Sequence, residues 1–87
     1  MPEPTLSLPD AERLAERLIL RIDIQRELDP PNAQLRYQSD RDQVESDLAD
    51  LRFHAQQHIA CEVRPCADAQ DRSDNLRRTG RLYGVEL

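Results

Sequence analysis

The sequence predicts a mainly α-helical single domain. It reads as an antiparallel helical hairpin over about 8–28 and 40–63, followed by a short C-terminal helix. Three observations predict this. Two capping-box signatures, Ser7-Leu8-Pro9-Asp10 and Ser39-Asp40-Arg41-Asp42, each head a long run. Both runs carry apolar residues at helical spacing. Both are followed by proline, at Pro30-Pro31 and at Pro65.

The first helix has proline early in its first turn, where the missing N–H costs nothing. From Asp10 to Leu28 it is rich in Ala, Leu, Glu and Arg, all good helix formers. One broad side carries Leu8, Ala11, Leu14, Ala15, Leu18, Ile19 and Ile22. The second helix starts at Ser39, with acids crowding its first turn where the helix dipole favours them. Its apolar side carries Val44, Leu48, Leu51, Ala55 and Ile59. Running to about Val63, it spans roughly 24 residues, or about 36 Å.

The remaining segments are weaker. Leu35 and Tyr37 alternate with Arg36 and Gln38, so 33–38 reads as a short strand or an extended connector. Ala67 to Thr79 reads as a short helix with Gly80 at its C-cap. Tyr83, Val85 and Leu87 alternate, so 81–87 is a second candidate strand, able to pair with 33–38. Residues 1–6 read as a flexible tail.

Composition bounds the function. A chain of 87 residues has room for one domain with a modest core. Phe53, Tyr37 and Tyr83 are its only aromatic residues, so aliphatic side chains and Ala must do the packing. The formal net charge of −5 argues against nonspecific binding to nucleic acid or anionic membrane, and it permits a basic protein partner. All twelve basic residues are Arg, which points to a GC-rich genome. No secretory signal and no apolar run of about 20 residues is visible, which predicts a cytoplasmic protein. Cys61 and Cys66 are then expected as free thiols.

Two features carry candidate function. The first lies on helix 1, nearly opposite its core side, where Leu20, Ile24 and Leu28 follow i, i+4, i+8. Arg13, Arg17 and Arg21 border this strip on one edge. Glu12, Glu16, Asp23 and Glu27 border it on the other. One basic and one acidic border suit a second copy, read here as meeting antiparallel, which predicts a homodimer. The alternative is that a third helix or the C-terminal tail covers the strip within one chain.

The second is a polar stripe on helix 2: Asp47, Asp50, His54, His58 and Cys61, all within about 80° of one another. His54 and His58 at i, i+4 can share one ion, and Cys61 with Cys66 would complete a tetrahedral zinc set. The alternative is a polar flank with no ligand, since free Cys often packs as a small hydrophobe.

Catalysis finds little support. The chain has no Gly-rich phosphate loop, no G-x-S-x-G elbow and no C-x-x-C, and Ala55 stands where H-E-x-x-H needs Glu. The cluster Arg77, Arg78 and Arg81 reads as a solvated helix end. The leading expectation is a noncatalytic protein-interaction module. A zinc-binding structural or sensor protein is the first alternative. An acidic inhibitor of a nucleic-acid-handling protein is the second, with the rows Glu12, Glu16, Asp23, Glu27 and Asp40, Asp42, Asp47, Asp50 imitating phosphates.

Overall fold

The computed structural model describes residues 4–56 and 67–86. They form three α-helices: α1 (Leu8–Leu28), α2 (Gln38–Gln56) and α3 (Ala67–Tyr83). A 3₁₀ turn (Pro30–Asn32) and a π-helical turn (Ala33–Tyr37) join α1 to α2. Each helix packs against both others. The protein is thus mainly α, and no strand forms among the described residues.

α1 forms for the local reasons visible in its sequence. Ser7 is the N-cap, and its hydroxyl accepts a hydrogen bond from the Asp10 N–H at 3.3 Å. At the other end the Asp29 N–H returns to the Gln25 carbonyl at 2.9 Å. Ala11, Leu14, Ala15, Leu18 and Ile22 are buried, while Leu8 and Ile19 are half-buried at the edges of that face.

The start of α2 departs from expectation. Ser39 lies inside the helix, because the chain is already turning from Pro30 onward. Tertiary contacts impose this. Asp29 Oδ2 accepts from Asn32 Nδ2 at 2.8 Å and from the Tyr37 hydroxyl at 3.0 Å. Arg26 donates to Gln38 Oε1 at 3.0 Å. The candidate strand 33–38 is therefore replaced by a π turn running into α2. Its alternation does not survive: Tyr37 is buried while Leu35 is 82% exposed. Val44 and Leu51 face the core, Leu48 is half-buried and Ala55 is exposed. The expected continuation of this helix to Val63, including Ile59, lies outside the described residues.

α3 is longer than expected: it takes in 81–83 of the candidate strand 81–87, and 84–86 form a turn rather than a strand. Gly80 is not its cap but a buried position within it. The helix ends instead at Gly84, whose φ of 70° is the left-handed conformation that favours glycine. The Val85 N–H donates to the Gly80 carbonyl at 2.7 Å, and the Gly84 N–H to the Arg81 carbonyl at 3.3 Å. This is a Schellman ending. A Cβ on Gly80 would meet the Val85 carbonyl oxygen at 2.6 Å, so the same turn also requires glycine at 80. Tyr83 and Val85 fold back against the core.

The core is small and aliphatic. Leu18, Ile22, Val44 and Leu76 are fully buried, each worth about 1.5–3 kcal/mol relative to exposure. α3 supplies mainly small residues, Ala69, Ser73 and Gly80 around Leu76, which let it approach closely. The N-terminal segment joins this contact. Leu6 is buried, its N–H donates to Ser73 Oγ at 3.0 Å, and Thr5 Oγ1 bonds Gln70 Oε1 at 2.7 Å. The tail expected over 1–6 is thus anchored on α3 at Thr5 and Leu6. Ion pairs tie α1 to α2 at both ends: Asp23 to Arg41 at 2.9 Å and Glu12 to Arg52 at 3.8 Å.

Two tyrosines close the opposite end of the molecule. The rings of Tyr37 and Tyr83 lie 6.4 Å apart, and the Tyr83 hydroxyl donates to Asp40 Oδ2. Burial, then the hydrogen bond to Asp40, push the Tyr83 phenol well above its ordinary range. Tyr37 is raised by burial and by Asp29. A phenol that holds its proton more tightly in the folded state adds stability that is full below about pH 10. That contribution is lost as pH rises beyond this. Melting temperature should therefore fall between about pH 10 and 11.5, and Tyr83→Phe should flatten the fall while lowering the plateau at pH 8. An equally steep alkaline fall in the variant would show that Tyr83 does not drive it.

Candidate functional site

Among the described residues, the strip on α1 is uncovered along its length. Leu20 is 64% exposed, Ile24 43% and Leu28 75%. α3 packs on the other side of α1, and residues 84–86 border the strip. There, Arg17, Leu20, Arg21, Ile24 and residues 84–86 line a shallow groove of about 340 Å³. Arg17 is held at that edge by the Glu86 carbonyl at 3.1 Å.

The structure extends the strip beyond what the sequence indicated. A second groove of about 290 Å³ is lined by Arg21, Gln25, Arg36, Tyr37, Leu82 and Tyr83. Arg21 belongs to both grooves, so Leu20, Ile24, Val85 and Leu82 flank one continuous surface. Leu82 is 69% exposed. The alternation of Tyr83, Val85 and Leu87 in the sequence gives no sign of its place. Continued as a helix, the same residues carry Leu82 beside Arg21 and Gln25 of α1.

The charged borders divide into spent and unspent groups. Asp23 is bound by Arg26 at 3.3 Å and by Arg41, and Glu12 by Arg52. Arg13 reaches Asp10 at 4.0 Å. Glu16, Arg21 and Glu27 make no ion pair with any described residue and are exposed. Arg36 stacks over the Tyr37 ring at 5.8 Å.

The polar stripe on α2 behaves differently. Asp47 is fully buried and Asp50 lies beside it. Arg72 of α3 joins both: its NH1 lies 3.2 Å from Asp47 Oδ1, and its Nε 2.8 Å from Asp50 Oδ2. Gln43 Nε2 also donates to Asp47 Oδ1, at 2.9 Å. The other oxygen, Asp47 Oδ2, is buried without a hydrogen-bond partner among the described residues. Both carboxylates of the stripe thus face an internal guanidinium. His54 is half-buried and its ring meets Phe53 edge-on at 5.9 Å. His58, Cys61 and Cys66 lie outside the described residues. Among the described residues, no group of three or more His, Cys, Asp or Glu is placed to hold a metal ion.

The two acidic rows are also partly consumed. Asp23, Glu12, Asp47 and Asp50 pair with arginines, Asp42 accepts from Gln38, and Asp40 accepts the Tyr83 hydroxyl. A phosphate-like track needs unpaired charges facing solvent; Asp47 is enclosed, and Glu12, Asp23 and Asp50 are partly neutralised by arginines. No described helix is long and apolar enough to cross a membrane. Comparison with family models, characterised proteins and solved structures finds no match to this chain.

Proposed function

We propose that the protein is a noncatalytic interaction module that acts as a homodimer, with α1 presenting the contact surface. In this reading α1 and α2 form the antiparallel hairpin, α3 completes the core, and the outer side of α1 is left for a second copy. One observation carries it: Leu20, Ile24 and Leu28 stand exposed in a row on the side of α1 turned away from the core. Exposed apolar residues are ordinary singly, but a contiguous strip rimmed by charge is typical of an interaction site. Leu82 and Val85 widen it, and a domain with so small a core gains stability from association. Of the eight carboxylates that would serve a nucleic-acid mimic, Glu12, Asp23, Asp47 and Asp50 pair with arginines of the chain itself, which weakens that alternative.

Native mass spectrometry and sedimentation of the full chain test the proposal. The wild type should be dimeric at tens of micromolar. Leu20→Glu should raise the dissociation constant at least about a hundredfold, because it buries one charge from each copy at the centre of the contact. Leu20 is largely exposed in the single chain, so the variant should keep its helical circular dichroism. A wild type that stays monomeric at about 200 μM would sink the proposal.

A further inference from the structure

The dimer proposed above has two possible senses, and the charges on α1 choose between them. A two-fold axis that runs the two α1 helices in opposite directions brings each edge against the same edge of the other copy. Basic would then meet basic, and acidic would meet acidic. A two-fold axis parallel to the helices crosses the edges, so that basic meets acidic. The antiparallel meeting read from the sequence therefore fails on symmetry, although the two-border pattern that suggested it stands.

From this we infer that two copies pack with their α1 helices parallel, and that Glu16 of each copy pairs with Arg21 of the other. The inference rests on the dimer reading and specifies its register. With Leu20 and Ile24 at the seam, Glu16 and Arg21 flank it symmetrically on opposite edges, five residues apart. That spacing is the one by which flanking charges meet across a parallel helix pair. Both residues are exposed, and neither has an ion-pair partner among the described residues. By contrast, Asp23 on the acidic edge is already held by Arg26 and Arg41. The symmetry forms the Glu16–Arg21 contact twice, so each charge counts double.

Sedimentation equilibrium on the full chain at about 50 mM salt, where exposed charges are weakly screened, provides the test. Four proteins are compared: wild type, Glu16→Arg, Arg21→Glu, and the double exchange. Each single reversal should weaken the dimer about tenfold, since it replaces two attractions by two repulsions. The double exchange should return to within about threefold of the wild type. Circular dichroism of all four should match, because both side chains are exposed. A dimer indifferent to every reversal would overturn the register while leaving the dimer in place. A mixed dimer of wild type with Arg21→Glu that is tighter than the wild-type dimer would show basic edge facing basic edge, and so the antiparallel sense. A monomeric wild type would remove both this inference and the proposal beneath it.

Discussion

Replacing Leu18 by alanine is expected to cost about 3–4 kcal/mol, the largest single effect available in this fold. Leu18 is fully buried in the middle of the α1 face that meets the other two helices. The change removes three heavy atoms and leaves a cavity in a core that relaxes only partly around it. A domain of this size has a total stability of only about 5–10 kcal/mol, so the loss is a large share of it. Urea unfolding followed by ellipticity at 222 nm should show the midpoint falling with little change in slope. Leu20→Ala serves as the control. Two positions along the same helix, it faces outward, and in the single chain it should cost no more than about 0.5 kcal/mol. Equal losses at 18 and 20 would mean that the core side of α1 is misassigned.

How far such assignments could be read from sequence depended on how local their causes are. α1 was legible because Ser7, Pro9 and the apolar spacing act within the helix itself. The start of α2 was not. Ser39-Asp40-Arg41-Asp42 is a sound local cap, but the Asp29–Tyr37 hydrogen bond and the burial of Tyr37 hold the preceding residues in helical turns. A cap is worth about 1 kcal/mol, and a buried aromatic outweighs it. The end of α3 turned on a choice between Gly80 and Gly84. Either suits a C-cap by residue type. Only the approach of the Val85 carbonyl to Gly80 separates a packing glycine from a capping one, and that is a three-dimensional fact.

The candidate surfaces divide in the same way. The strip Leu20, Ile24, Leu28 follows from periodicity alone, so its position was available from the start. Leu82 and Val85 joined it only through the course of α3. The polar stripe misled because residue type and position disagree at Asp47. Its spacing, i+3 from Val44 and i−4 from Leu51, is that of a core residue. Its carboxylate suggested a surface or a ligand. The structure resolves this by supplying Arg72 from α3, and the register of α3 against α2 cannot be read from either helix alone.

That arginine is the second position where a large effect is expected. Arg72→Met should destabilise the protein by about 3 kcal/mol at neutral pH, the lower end of the range for removing one partner of a buried ion pair. The lower end applies because the Arg72 side chain is 34% exposed and water screens part of the interaction. Asp47 is wholly enclosed, and one of its oxygens already lacks a described partner, so losing the guanidinium would leave the charge with little beyond Gln43. Methionine keeps most of the apolar stem, which separates the charge from the packing that an arginine stem also provides. The decisive comparison is a double-mutant cycle with Asp47→Asn. In the Asn background the buried charge is gone, so Arg72→Met should cost about 1 kcal/mol or less, with Asp50 the remaining partner lost. The coupling of about 2 kcal/mol would identify Asp47 as a structural charge whose role is to fix α3 against α2. An Arg72→Met cost that is the same in both backgrounds would show that the arginine acts through its stem or through Asp50. The buried carboxylate would then still lack an assigned role.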